Sequence, residues 1–335
     1  MTVSRGGKPT SIPGAGSLLD RRGSSRRDGS GPAEVSRDEW DALDGIARTL
    51  TASGWYRVVR RFSRRERYAS PCVSVTQRAL FVDVETTGLD ANGDHIIELA
   101  VVPFRYDADG TVYEVGEPVS FLEDPGVAIP AEVTHITGID DEMVRGQRID
   151  DATVNALLAD CALVVAHNAA FDRRMIERRL PRFAEVPWAC SQREVPWQQF
   201  GAGGAKLDYL LFRICGEFHD GHRAVDDCLA GIHLLAEARC EGRSAMSFLL
   251  ESANEPMMRV WAVGAPYDSK DVLKARRYRW NDGSDGQPKA WYRDVRLSEL
   301  RNEEEWLRGA AYGGRSNPPL CVKEINAGNR YSVRS

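Results

Sequence analysis

From residue 79 the chain settles into an alternation of apolar and polar positions. ALFVDVE, HIIELAVVPFRY and TVYEVGEPVSFL read as three strands, the last two joined through an Asp-Ala-Asp-Gly turn at 107–110. Beyond residue 150 the period lengthens. Helices are predicted near 151–160, 171–180, 206–215 and from about 224 to 241, with short strands at ALVVAH and Pro187–Ser191 between them. A meander that gives way to alternating strands and helices predicts an α/β fold with one mixed five-stranded sheet flanked by helices.

The segments on either side follow other patterns. Residues 1–35 are rich in Gly, Ser, Arg and Pro with few large apolar side chains, which predicts a disordered tail. Ser36-Arg-Asp-Glu39 reads as a capping box ahead of Trp40, Leu43, Ile46, Ala47 and Leu50 at helical spacing, and Gly54 ends that helix. WYRVVRRFSRRERY follows, with Arg57, Arg60, Arg61, Arg64, Arg65 and Arg67 offset only by Glu66. Together these make a basic helical extension over 36–75. The arginines would either track phosphates or solvate a helix whose aromatic side packs on the next domain.

That next domain covers 76–250. After Glu255-Pro256, MRVWAV predicts a strand, Asp268 or Ser269 caps a helix ending near Arg277, and YRW with AWYRDV forms a hairpin. A helix from Ser298 to about Ala311 and two short strands around Ala327-Gly328-Asn329 complete an α+β module over 256–335. A module this small has a marginal core and is expected to lean on its neighbour. Its aromatics and basic residues, such as Trp280, Trp291, Arg279 and Arg293, suit either stacking on single-stranded bases or a small tryptophan core.

Charge sharpens this division. Residues 1–75 carry 14 Lys+Arg against 8 Asp+Glu, residues 76–255 carry 15 against 31, and residues 256–335 carry 15 against 10. An acidic middle between basic ends suits a cation-loading site whose polyanionic partner is held elsewhere, although the same imbalance also aids solubility. MTVSRGGKPTSIPGAG lacks a continuous apolar run, and no later stretch has the length of a membrane span, so a cytoplasmic protein without membrane contact is expected. Seven cysteines without a CxxC pair read as reduced, mostly buried thiols rather than a zinc site.

The candidate chemistry lies in three short segments. Asp83 and Glu85 in FVDVETTGLD are two apart on a predicted strand, so both leave the same face, where two carboxylates raise each other's pKa unless a cation intervenes. Asp172 follows VAHNAAF at the start of a helix, where an acid also serves as a simple cap. His222 and Asp227 in HRAVDD bracket the start of the last long helix. Asp227 there is a candidate cation ligand and His222 a candidate base, with Asp226 and His219 as their competitors. His167 and Asn168 are placed to shape the loop before Asp172.

These segments, in this order, resemble the Exo I, Exo II and Exo III motifs of the DEDDh (DnaQ-like) 3′–5′ exonucleases, the family of the epsilon proofreading subunit of bacterial DNA polymerase III. THITGIDDEM at 134–143 and Lys206-Leu207-Asp208 fit as accessory loops, and the resemblance covers about residues 77–243. It implies an RNase H-like fold and metal-dependent hydrolysis of DNA from a free 3′ end, of the proofreading or repair type. Asp83, Glu85, Asp172 and Asp227 would hold two Mg²⁺ or Mn²⁺, and His222 would be the general base. Thr86, Thr87, Gly88 and Leu89 would meet the terminal nucleotide, Leu89 as an apolar wedge, with His135 and Asn168 as further substrate contacts.

Physical chemistry is consistent with those roles, since hard divalent cations prefer carboxylate oxygens and an imidazole titrates near cellular pH. WACSQREVPW lacks the Asp-Thr often found at that point of the family, and neither a clamp-binding peptide nor a long flexible tail is evident. A polymerase partner is therefore possible but not indicated. The alternatives are an exoribonuclease, or a nucleic-acid-binding protein built on an inactive nuclease core.

Overall fold

A computed structural model describes residues 36–70, 76–219, 221–284, 286–315 and 317–334. The expected disordered tail at 1–35 and Cys72 lie outside them. The chain divides into two compact units, 1–58 and 59–335, so the boundary falls inside the arginine-rich segment. In the first unit, helix α1 (Arg37–Ala52) carries the capping box: the Ser36 side chain accepts from Glu39 N while the Glu39 carboxylate accepts from Ser36 N. The arginine-rich stretch is not a helix. Arg60–Arg61 is extended and pairs in parallel with Glu217–Phe218, and Arg64 forms an ion pair with Glu117.

The second unit is built on a mixed sheet. Strands β1 (Gln77–Thr86), β2 (Ile96–Tyr106) and β3 (Val112–Val115) are antiparallel neighbours. Strand β4 (Val119–Leu122) also pairs with β2, and β5 (Leu163–Ala166) and β6 (Trp188–Cys190) run parallel to β1. The path is β3-β2-β1-β5-β6, the five strands expected, with β4 as a sixth. TVYEVGEPVSFL is thus two strands rather than one. The Gly116 N–H donates to Pro103 O, and Pro118, with no N–H to give, breaks the ladder between them.

Strand parity decides which helices cover which face. Ala79 and Phe81 of β1, with Ala100 and Val102 of β2, pack under α5 (Ala224–Glu237) and α6 (Ala245–Asn254). Leu80, Val82 and Val84 face the other way, onto α3 (Asp151–Leu158) and α4 (Ala169–Arg179). Before α3, the THITGIDDEM segment is helical rather than a loop, forming α2 (Ala131–Thr137) and a turn at Asp141–Val144 capped by Asp140. Both stretches were legible only as a loop because each is shorter than three turns. The 206–215 helix begins at Leu207 and widens into a π turn from Leu211 to Cys215.

The C-terminal segment forms a four-stranded antiparallel sheet of β7 (Met257–Ala262), β8 (Arg279–Trp280), β9 (Trp291–Arg296) and β10 (Leu320–Ile325), in the order β8-β9-β7-β10. One face packs Val260, Ala262 and Val295 against α7 (Lys270–Ala275) and α8 (Leu300–Trp306). Strand β10 precedes Ala327, and the residues after it are turns, so the two final strands expected there are one strand placed earlier. Tyr278 is buried in this core with Trp291 and Trp306 packed against it, Trp261 is buried on the sheet's other face, and Trp280 and Tyr267 remain exposed.

The module does lean on its neighbour. Arg173 of α4, fully buried, donates to the carbonyls of Ala327, Gly328 and Arg330, and Trp188 N donates to Ala327 O. Among the described residues no helix is long and apolar enough to cross a membrane. Of the six described cysteines, all free, only Cys190 and Cys228 are buried, and Cys321 is exposed, so the thiols are less buried than their composition suggested.

Candidate active site

Strand β1 carries Asp83 and Glu85 on the face already set by Phe81, which is the face covered by α5. Helix α5 brings Asp227 from its first turn. One carboxylate oxygen from each of Asp83, Glu85 and Asp227 lies within 4.8 Å of the others. With metal–oxygen distances of about 2.0–2.6 Å, that spacing fits three oxygens around one hard divalent cation. Asp172 stands outside this trio at the first turn of α4, 3% exposed. The parallel pairing of β1 with β5 ends at Phe81 and Val165, and the Asp172 carboxylate takes the N–H of Val84 just beyond that point. It thereby faces the backbone of β1 at the residue between its two acids.

Crowding and burial leave these acids reluctant to ionise. Burial, then the charges of Asp172, Asp227, Glu85 and Glu98, raises Asp83 well above the usual carboxylate range. Glu85 is pushed up to about 8 by burial and by Asp227, Glu98 and Asp172. Asp172 rises to about 7, chiefly through burial, against the opposing hydrogen bonds from its own N–H and that of Val84. Groups that resist losing their protons this strongly need a counter-charge, which a divalent cation supplies.

The two histidines occupy different environments. His219 has a side chain only 3% exposed, with Nε2 2.7 Å from Asp227 Oδ1 and Nδ1 3.6 Å from Asp208 Oδ1. Burial lowers its pKa, but the hydrogen bond to Asp227 and the charges of Asp227, Asp208 and Asp226 outweigh that and raise it. His222 is exposed and has a left-handed φ of 72°, uncommon for a residue with a Cβ. Its backbone N–H donates to Asp227 Oδ2 at 3.0 Å. Asp227 is therefore gripped from both sides, by an imidazole at one oxygen and a backbone amide at the other.

The expected substrate contacts divide. Leu89 is 88% exposed at the tip of its turn, the exposure an apolar wedge needs. Thr86 and Thr87 are buried: Thr86 Oγ1 donates to Gly88 O, while Thr87 Oγ1 donates to Asp94 Oδ1 and accepts from His95 N. Their hydroxyls thus hold the turn. A Cβ at Gly88 would meet the Asp94 carboxylate at 2.4 Å and push aside the group that accepts from Thr87 Oγ1 and Asp90 N. Asn168 is exposed and makes no side-chain cap to α4, and His135 is exposed on α2. His167 shapes the loop, with Nδ1 2.9 Å from Ser191 Oγ and Nε2 2.8 Å from Ala205 O.

One residue escaped the sequence reading. Glu98 of β2, 1% exposed, pairs across the ladder with Glu85 and accepts from Ser120 Oγ, Arg223 and Ala224 N. It ties the first residue of α5 to the strand beside the acids. The only signal was a lone charge inside the apolar run IIELAVV.

Residues 80–235 match the exonuclease family model named RNase_T. This segment is an exonuclease-family domain. A DNA polymerase III of the PolC type from Clostridium perfringens is 31% identical over 158 residues, covering 46% of this chain and 10% of that protein. The 3′-5′ exonuclease DinG of Bacillus subtilis is 34% identical over 107 residues, covering 31% of this chain and 11% of that protein. The chain thus spans only about a tenth of the length of these relatives. Among solved structures, Exonuclease X in complex with 5′ overhanging duplex DNA covers 50% of this chain and 99% of its own, with TM-score 0.36 and 23% identity. E. coli Exonuclease I in complex with a dA16 oligonucleotide covers 70% of this chain and 68% of its own, with TM-score 0.45 and 16% identity.

Proposed function

We propose that this protein is a 3′–5′ exonuclease that hydrolyses phosphodiester bonds at the 3′ end of single-stranded or frayed DNA. The carrying observation is the convergence of Asp83, Glu85 and Asp227, beside Asp172, inside a segment that matches the exonuclease family. The relatives named for DNA polymerase III favour DNA over RNA as the substrate.

In this reading Asp83, Glu85, Asp172 and Asp227 hold two Mg²⁺ or Mn²⁺. Bound there, such cations would offset charge developing at the scissile phosphate. His222 is the general base. Its imidazole has no partner among the described residues and stands on an exposed, conformationally strained turn beside Asp227. His219 is committed to Asp227 and acts as a positioning residue, fixing which carboxylate oxygen faces the site. Leu89 packs beside the terminal base, and Thr86, Thr87 and Gly88 keep its turn in place.

The test is degradation of a 5′-labelled oligonucleotide, as DNA and as RNA, with Mg²⁺ or Mn²⁺. A DNA ladder shortened from the 3′ end and abolished by EDTA is expected. Activity that persists in Asp83→Ala/Asp227→Ala would overturn the assignment, and preference for the RNA strand would overturn the choice of polymer.

A further inference from the structure

The face of the C-terminal sheet turned away from α7 and α8 does not lie open. Register places Arg259 and Trp261 of β7 beside Asp294 and Tyr292 of β9, and Arg279 of β8 beside Tyr292. Together with α4, the 191–194 turn and the segment around Arg330, this face encloses a cavity of about 310 Å³. That is the lower end of the size at which small-molecule sites are found, and about the bulk of one nucleotide unit.

Five arginines line the cavity against two carboxylates. The carboxylates are already taken. Glu194 is paired with Arg330, and Asp294 is held by Arg259, with Arg279 at 3.3 Å. Arg174 and Arg193 are the remainder. Both are exposed, and neither guanidinium has a hydrogen-bond or ion-pair partner among the described residues. An independent observation comes from the apolar wall. Trp261 is 1% exposed, lines the cavity, and its Nε1–H has no acceptor. A buried donor without an acceptor is costly, and a ligand oxygen would relieve it.

The position supplies the ligand. Ala170 and Arg174 line the cavity from α4, the helix that also carries Asp172. Asp172 is two residues from each, so it leaves the opposite side of that helix, toward the acidic cluster. The cavity and the acids are thus separated by about one helix diameter, ~10 Å. We propose that this cavity is a phosphate-binding subsite for the nucleic-acid strand whose 3′ end lies among the acids. Arg174 and Arg193 would contact a phosphodiester, and Trp261 Nε1 would donate to one of its oxygens or to the attached nucleotide. This assignment rests on the exonuclease reading for the direction of the strand, though not for its chemistry.

The experiment is fluorescence anisotropy of a 5′-fluorescein-labelled oligothymidylate with the full chain in EDTA, titrated over a range of salt. Arg174→Ala/Arg193→Ala is expected to bind at least about tenfold more weakly, and its salt slope to fall by roughly 1.4, about 0.7 for each lost phosphate contact on a single strand. Trp261→Phe keeps the ring but removes Nε1–H, and a loss of roughly tenfold is expected. Unchanged affinity and slope in the double variant would overturn the proposal. So would a double variant that binds the oligomer normally but loses thymidine 5′-monophosphate, since the cavity would then serve a free nucleotide. Wild-type protein that binds through these arginines yet cleaves no DNA would sink the exonuclease reading and leave the subsite standing.

Discussion

Gly231 abuts the tip of the Phe81 ring: a Cβ built on Gly231 would sit 2.2 Å from Phe81 Cζ. The two residues belong to the elements that carry the acids, Gly231 one turn beyond Asp227 on α5 and Phe81 two residues before Asp83 on β1. The absent side chain lets helix and strand approach closely enough for their carboxylates to meet. Gly231→Ala would gain about 1 kcal/mol of helix propensity, but it forces a fully buried ring to move. Overpacking of this kind costs about 1–3 kcal/mol. The variant should melt several degrees lower, and its Mn²⁺-induced rise in melting temperature should shrink because the acids are spread apart. A melting temperature and Mn²⁺ response equal to wild type would contradict this account.

The two histidines should separate by readout. His222→Ala removes an imidazole with no hydrogen-bond or ion-pair partner among the described residues, so the Mn²⁺-induced thermal shift should survive while turnover falls by roughly 10²–10⁴. His219→Ala frees Asp227 Oδ1, so it should weaken the Mn²⁺ shift itself and raise the metal concentration needed for activity. If His219→Ala keeps its metal response and loses only turnover, the roles are reversed.

Asp83, Glu85, Asp172 and Asp227 were legible because each motif binds its acid to a recognisable local pattern: alternation on β1, the start of α4, the start of α5. Strand parity alone put Asp83 and Glu85 on one face. Glu98 was not legible, since its role depends on a cross-strand partner and on the backbone of α5, 126 residues away. The grip of His219 on Asp227 is not legible in the sequence for a related reason. It is made by a loop whose path no periodicity dictates. The docking of residues 327–330 onto Arg173 likewise consists of side-chain bonds to irregular backbone, which leave no pattern in the sequence.

The acids make stability depend on pH in a direction opposite to that of an ordinary paired carboxylate. Glu85 at about 8 and Asp172 at about 7 hold protons in the folded chain that the unfolded chain, with values near 4, has already released. Between roughly pH 4.5 and 8 the folded state therefore binds more protons, and stability falls as pH rises. Each such group contributes at most ~1.4 kcal/mol per pH unit. Chelator-treated protein should lose melting temperature across this window more steeply than Glu85→Gln, and the Mn²⁺-induced shift should grow with pH. Parallel pH profiles for the two proteins would refute the electrostatic account.

Glu98→Ala should act through α5 rather than through the cations. It removes the acceptor for Ser120 Oγ, Arg223 and Ala224 N, leaving a buried helix-start amide without a partner at about 1–3 kcal/mol. Glu98→Gln retains one carbonyl acceptor and should recover part of that loss. The expected result is a graded fall in melting temperature, wild type above Gln above Ala. A Gln variant no more stable than Ala would mean that the charge, and not the hydrogen bonds, ties α5 to β2.

Arg173 tests whether the C-terminal segment is fastened to the exonuclease domain or merely rests on it. Its guanidinium is fully buried, pairs with Glu177 at 2.6 Å, and reaches three backbone carbonyls of residues 327–330. Arg173→Met keeps much of the apolar volume but leaves those carbonyls and Glu177 with a donor removed. Breaking a buried charge network this way costs on the order of 3–5 kcal/mol. If the fastening is what holds the module in place, the variant should lose melting temperature and also become cleavable by protease near Asn326–Arg334. A uniform loss of stability with no new cleavage there would show that Arg173 supports α4 alone.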